Sequence, residues 1–299
     1  MDNNKETKRS FEYFQHNGIT FISSIHSIEQ LEWVKDFEMD PDLPLIVTYP
    51  KSGTYWMQQI ASQILSTGND ANRKGKELYH KAPWIEYFGF KPGWTDYQLL
   101  TTHLNYHMAP NCVKNKMIKI IYVARNPKDV IVSSYHFHKY SHFLKKPKDF
   151  QDFLEQFVEG NVFYGSWFHH IRDWYSHKDE LNILFVTYED MKKDLRSVIE
   201  KVASFLNKKL DGETLESILE HCTFKYMKEN PETNYHEASG LFDADKGSFY
   251  RKGITGDWKN HFLVSQNEWF DSIYKEKMAD IPVTFDYDIV DLIYFPNKQ

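Results

Sequence analysis

Only two cysteines, Cys112 and Cys222, occur among the 299 residues, too few for a disulfide framework, and no Asn-x-Ser/Thr acceptor is present. Both absences point to a reducing, unglycosylated compartment, and we expect a cytoplasmic protein. No stretch approaches the ~20 consecutive apolar residues of a membrane span, and the polar first ten residues lack the apolar segment of a secretory signal. Positive charge is not in excess: 36 Lys and Arg face 42 Asp and Glu, a net charge of −6. Bulk electrostatics therefore ask for neither nucleic acid nor a membrane as partner. Glycine (13) and proline (11) are sparse and nowhere gather into a linker, and no internal repeat is visible. One domain over residues 1–299 is the expectation.

What is present is apolar side chain, 41% of the residues, with 8 Trp, 19 Tyr and 22 Phe making up 16%. Such rings mostly build core, and they also suit a pocket for flat apolar ligands. Short continuous apolar runs recur: Leu45 to Tyr49, Leu99 to Thr102, Lys119 to Val123 and Ile183 to Val186. Runs without alternation read as strands buried on both faces, as in a parallel sheet covered by helices. Between them, Thr54 to Leu65 puts Trp56, Ile60 and Ile64 on one stripe, and Pro127 to His138 follows a strand directly. Asp149 caps a helix bearing Phe153, Leu154 and Phe157, and Ser265 with Glu268 forms a capping box before a helix ending at Met278. Glu189-Asp190 reads as a further helix start. The predicted fold is α/β, a mainly parallel central sheet flanked by helices.

The chemistry concentrates after the first buried strand. Pro50 stops that strand, and Lys51-Ser52-Gly53-Thr54 turns the chain into a helix, so helix N–H groups and the positive end of the helix dipole converge on the turn. An anion belongs there. Gly53 permits a close or left-handed backbone, Lys51 supplies a full charge, and Ser52 and Thr54 supply hydroxyls. The turn is not a Walker A loop, because the lysine precedes the only glycine.

This stretch, Tyr49-Pro-Lys-Ser-Gly-Thr-Tyr55-Trp56, resembles the 5′-phosphosulfate loop of the cytosolic sulfotransferase family. A second segment, Arg251-Lys252-Gly253-Ile-Thr-Gly-Asp257-Trp-Lys259, is similar to that family's motif near the carboxyl end, following Phe249-Tyr250. Two adjacent cations beside a glycine make a clamp for a second phosphate. The resemblance covers roughly residues 41–278 and implies a P-loop-kinase-like fold with 3′-phosphoadenylyl sulfate as donor, adenosine 3′,5′-bisphosphate as product and no metal. It further implies that Arg125 and Ser133 hold the 3′-phosphate and that Trp56, Tyr188, Thr223 and Phe224 lie near the adenine.

Sulfuryl transfer is an in-line displacement in which the protein positions reactants and neutralises charge. The resemblance casts His103, in Leu99-Leu-Thr-Thr-His103, as general base for the acceptor, Lys51 as stabiliser of the leaving oxygen and Ser52 as a restraint on Lys51. Two departures stand out. Thr101 replaces a common lysine, removing a cation expected near the sulfuryl group. Leu263 sits in the dimer motif Lys259-x-x-x-Leu263-Val264-x-x-x-Glu268, for which a homodimer contact is still expected.

The acceptor wall is expected from Phe21, Trp84, Phe88 and Phe137. Glu86 within Ala82-Pro-Trp-Ile-Glu-Tyr87 is most similar to the amine-sulfating branch and suggests an ion pair to a cationic amine, beside phenols and alcohols. Its other reading is a carboxylate facing solvent. A nucleotide kinase and a non-catalytic ligand binder remain as alternatives. A zinc site among His136, His138, His142, His169 and His170 lacks any accompanying ligand framework.

Overall fold

The computed structural model describes residues 12–67, 76–87, 89–90, 97–115, 118–234, 240–243 and 245–287. A hairpin comes first: β1 (Tyr13–His16) and β2 (Ile19–Ile22) pair antiparallel, with His16 opposite Ile19. Its two-residue loop is Asn17-Gly18, both at positive φ, the combination that a tight hairpin turn requires. Helix α1 (Ile28–Asp36), capped by Ser27, follows. Next come β3 (Leu45–Thr48), α2 (Thr54–Leu65), the short α3 (Leu78–Lys81) and β4 (Leu100–Thr102). β5 (Lys119–Ala124) leads into α4 (Pro127–Tyr140), and α5 (Phe150–Glu159) and α6 (Trp167–Ser176) precede β6 (Asn182–Thr187). Helices α7 (Tyr188–Lys193), α8 (Leu195–Phe205), α9 (Gly212–His221) and α10 (Phe224–Glu229) lie between β6 and the motif around Gly253, and α11 (Val264–Lys277) closes the described chain.

The central sheet is parallel, in the order β4-β3-β5-β6. Its residues divide by alternation between two cores. Leu45, Val47, Ile120 and Tyr122 pack on one side with Phe153, Phe157, Trp167 and Trp174, while Ile46, Ile121, Val123 and Val186 pack on the other with Ile60, Ile64, Ile199 and Val202. Both faces are dry, which is why the strands read as unbroken apolar runs.

Local boundaries follow capping chemistry. Asp149 accepts from the Asp152 N–H as expected. Thr187 and Asp190 form a reciprocal capping box at α7, which accounts for the Glu189-Asp190 helix start. The box expected from Ser265 and Glu268 lies elsewhere: α11 begins at Val264, and the Gln266 side chain accepts from the Leu263 N–H. β4 starts one residue later than expected and α4 runs two residues further, shifts of the size that fraying termini produce.

Candidate active site

The ends of β3, β4 and β5, the starts of α2 and α7, and Ser133 and Phe137 of α4 surround one cavity of about 240 Å³, outside the carboxyl edge of the parallel strands where α/β sheets bind ligands. Its floor is the turn after β3. Lys51 and Gly53 both have positive φ, 70° and 103°. For lysine this is uncommon backbone, held here by surrounding structure. Gly53 is irreplaceable for a second reason: a Cβ there would lie 2.8 Å from the Tyr188 ring. No side chain caps α2, so its leading N–H groups are left to the turn.

The Lys51 ammonium lies 4.1 Å from the centroid of Phe137 and 4.7 Å from that of Phe249, a cation between two aromatic faces. Burial, reinforced by Arg125 and Arg251, pulls its pKa down to about 7. Arg125 binds both loops of the site: one terminal nitrogen donates to the Lys51 carbonyl at 3.1 Å, the other to the Ile254 carbonyl at 3.0 Å, and its guanidinium lies 4.1 Å over Tyr188. Arg251 and Lys252 both reach Asp257 at 2.6 Å. Burial alone would push the Asp257 carboxyl up, but hydrogen bonds from Lys252, Asn260 and Arg251 hold it well below the usual range. The segment is anchored from α4, where Asp129 accepts from the Gly256 and Trp258 N–H groups.

His103 sits just beyond β4. Its Nδ1 is 2.8 Å from the Thr48 carbonyl and 3.1 Å from the Thr48 hydroxyl, which is itself 2.7 Å from the Thr54 hydroxyl. A carbonyl only accepts, so Nδ1 carries the proton and Nε2 is left with its lone pair. Burial, with Lys51 adding to it, lowers the imidazole pKa to about 4. The ring is therefore neutral at physiological pH. Trp84 is placed beside it by backbone bonds of residues 83–85 to β4.

The lining combines the cations Lys51, Arg125, Arg251 and Lys252 with Gly53, Thr54, Ser133 and Gly253, and with the rings of Tyr55, Trp56, Trp84, His103, Phe137, Tyr188, Phe224, Phe249 and Tyr250; Phe137 and Phe249 flank the Lys51 ammonium itself. Gly253 allows Phe224 to come close, since a Cβ there would stand 2.3 Å from its ring. The buried Ser52 hydroxyl and the Arg125 Nε have no hydrogen-bond partner. Of the two, Arg125 lines the cavity and suits an anionic group with several acceptor oxygens, whereas Ser52 is fully buried and does not line it.

Several expected residues are elsewhere. Phe21 is fully buried under the hairpin against Phe14, His26 and Tyr164 and does not line the cavity. Glu86 neither faces solvent nor lines the cavity: it is fully buried and accepts from the His103 N–H and the Tyr164 hydroxyl. The anticipated ion pair to a cationic amine has no geometric basis there. Phe88 lies outside the described residues. Thr223 does not line the cavity; its hydroxyl caps α10 and thereby presents Phe224. The Thr101 hydroxyl is turned toward α2, bonded to Gln58 and the Ala82 carbonyl, rather than toward His103.

Sequence reading missed Ile25, Tyr87, Phe143, Phe163, Lys192 and Met227 on the wall, as well as Tyr164 behind it. The Asn17-Gly18 hairpin, which delivers Ile25, was signalled by its dipeptide. Tyr87, Phe143, Phe163 and Tyr164 come from loops without periodicity, and Lys192 and Met227 from the short helices α7 and α10. Among the described residues no group of three or more His, Cys, Asp or Glu is placed to hold a metal ion, and His136 spends its Nε2 on His261.

A strand–turn–helix site rich in cations, opening with a lysine, a neutral imidazole and many aromatic rings into one cavity, is the arrangement of a transferase for an anionic donor group. Residues 41–282 match the sulfotransferase domain family. The chain is 40% identical to an amine sulfotransferase of Oryctolagus cuniculus, covering 97% of both sequences. It is also 40% identical to a 3-alpha-hydroxysteroid sulfotransferase of Cavia porcellus, over 89% of this chain and 94% of that one. A mouse sulfotransferase solved in complex with PAP superimposes with a TM-score of 0.75 at 33% identity, covering 90% of this chain and 95% of the other. The protein belongs to the sulfotransferase family and is a sulfotransferase.

Proposed function

We propose that this sulfotransferase takes its sulfuryl group from 3′-phosphoadenylyl sulfate, releases adenosine 3′,5′-bisphosphate, and sulfates the hydroxyl or amine of a small, largely apolar acceptor. The observation that carries this reading is that Lys51 and His103 line one cavity together with Arg125, Arg251, Lys252 and a set of aromatic rings, with Nδ1 of His103 committed to the Thr48 carbonyl. The phosphosulfate end of the donor lies on the turn at Lys51 to Thr54. Arg125, Ser133, Arg251 and Lys252 take the 3′-phosphate, and the adenine lies among Trp56, Tyr188 and Phe224. Nε2 of His103 accepts the acceptor's proton as the new O–S or N–S bond forms. The S–O bond to the 5′-phosphate breaks, and Lys51 balances the charge on the oxygen that leaves.

The described residues lining the cavity include no Asp or Glu, which favours acceptors that enter uncharged: phenols, alcohols and amines in their neutral form. Transfer of labelled sulfate to 2-naphthol tests the reading. Activity is expected to be lost in His103→Ala while adenosine 3′,5′-bisphosphate still binds, and to survive a chelator of divalent cations. Transfer that persists in His103→Ala rejects the base assignment. We further place the enzyme in the cytoplasm as a homodimer through residues 259–268, where Leu263 and Val264 are 65% and 76% exposed. Val264→Asp is expected to halve the mass measured by sedimentation.

A further inference from the structure

We propose that Glu86 and Tyr164 are positioning residues for His103: together they hold its main chain and balance the charge that its ring acquires on taking a proton. The inference rests on the reading of His103 as the base. Glu86 Oε1 accepts from the His103 N–H at 2.8 Å and from the Tyr164 hydroxyl at 3.0 Å. The Tyr164 oxygen lies 2.9 Å from His26 Nε2. The tyrosine proton goes to the carboxylate, while His26 Nδ1 lies 3.3 Å from the Ile22 carbonyl, so the single ring proton of His26 serves one of its two contacts. Tyr164 also sets its ring edge-on to His103, 5.0 Å between centroids. It does so from left-handed backbone at φ 67°, tied to the hairpin by its N–H to the Thr20 carbonyl. Strained backbone beside a reacting group is retained only where neighbours over-determine it.

A fully buried carboxylate is expensive without a cation, and none faces this one. The groups packed around it are Thr102 and His103 from the end of β4, Tyr164, His26 and its neighbour Tyr87. Lys51 lies beyond the His103 ring and depresses it. Glu86 Oε2 has no partner at all. Burial accordingly lifts the Glu86 pKa to about 7. The charge that would satisfy this carboxylate appears only when the neighbouring imidazole is protonated during transfer, so the pair favours the charged state of His103 in the transition state over its neutral ground state.

Three variants test this: Glu86→Gln, which keeps the shape and one acceptor but not the charge, Tyr164→Phe, which keeps the ring, and His103→Ala. Steady-state kinetics with 2-naphthol across pH 5 to 9 are read beside the Kd of adenosine 3′,5′-bisphosphate. In Glu86→Gln we expect kcat to fall about tenfold, the effect of roughly one unit of imidazole basicity, with KM and nucleotide Kd unchanged. Wild type should show an acid limb of kcat/KM near pH 7, where Glu86 gains its charge, and Glu86→Gln should lack that limb, because the imidazole itself titrates only near pH 4. In Tyr164→Phe the carboxylate loses a donor, so the limb should move to higher pH. A merely structural lesion would not abolish the limb in one variant and raise it in the other. Limbs that coincide with wild type in both variants, whatever happens to kcat, overturn the inference. If Glu86→Gln does not fold, the direction of the Tyr164→Phe limb decides. Loss of activity in His103→Ala with wild-type limbs in the other two sinks this inference alone, whereas activity retained in His103→Ala sinks the parent reading.

Discussion

Nucleotide binding by this protein should take up a proton, and the group responsible is Lys51. In the free protein its ammonium is buried between Phe137 and Phe249 and repelled by Arg125 and Arg251, with a pKa of about 7. A polyanion placed on the same turn reverses the balance and returns the lysine to its ordinary range near 10.5. The free lysine is about half charged at pH 7 and about one-tenth charged at pH 8, so binding should absorb about 0.5 and about 0.9 proton respectively. Because the ligand raises the pKa, the lysine's contribution to affinity is complete below pH 7 and is lost as the pH climbs above it. By linkage, the Kd of adenosine 3′,5′-bisphosphate should weaken about fivefold from pH 7 to 8 and about ninefold from 8 to 9. Titration calorimetry in phosphate and in Tris, whose ionisation enthalpies differ, measures the uptake directly. Protons exchanged by the nucleotide's own phosphates appear equally in Lys51→Met and cancel in the comparison. Equal uptake in wild type and Lys51→Met at pH 8 would refute the reasoning.

Other perturbations follow from the same geometry. Gly253→Ala places a methyl against the Phe224 ring at positive φ; we expect at least tenfold weaker nucleotide binding, about 1–2 kcal/mol, by calorimetry. Thr101→Val strips the Gln58 amide of a 2.7 Å partner and should cost about 1–2 kcal/mol in urea unfolding with kcat nearly unchanged, because the hydroxyl faces α2. Glu86 titrates near pH 7 when folded instead of 4.5. A raised acid favours the folded state at low pH, so wild type should lose stability relative to Glu86→Gln as pH rises from about 4.5 to 7, on the order of 3 kcal/mol in all. Chemical denaturation at pH 4.5, 6 and 8 measures it, and a constant difference across the series would be the contrary result.

Reading the chain without its structure succeeded where the determinants are local. The strand ending at Pro50, the Gly53 turn and the helix Thr54–Leu65 are adjacent in sequence, and their chemistry is dictated by backbone rules alone. Apolar runs announced a sheet covered on both faces, and Asp149 announced its helix. What failed was the direction of individual side chains. Phe21 and Ile25 are four residues apart, yet only Ile25 reaches the cavity, because the Asn17-Gly18 hairpin sets its own pairing and the turn after β2 swings outward. Nothing near Glu86 in the sequence distinguishes an amine anchor from a solvated acid. Glu86 became the buried support of His103 because residue 164, brought from 78 positions away, supplies a hydroxyl that no pattern near Glu86 encodes.

The amino-acid sequence by itself therefore determined the family, the anion turn and the imidazole, since each rests on a contiguous segment whose own hydrogen-bonding and conformational limits leave few alternatives. Tertiary structure alone decided which aromatics wall the cavity, where Thr101 points and what surrounds His103. Those outcomes depend on loops with no periodic signal, on which face of a strand meets which neighbour, and on how burial at that contact alters the charge each group can carry.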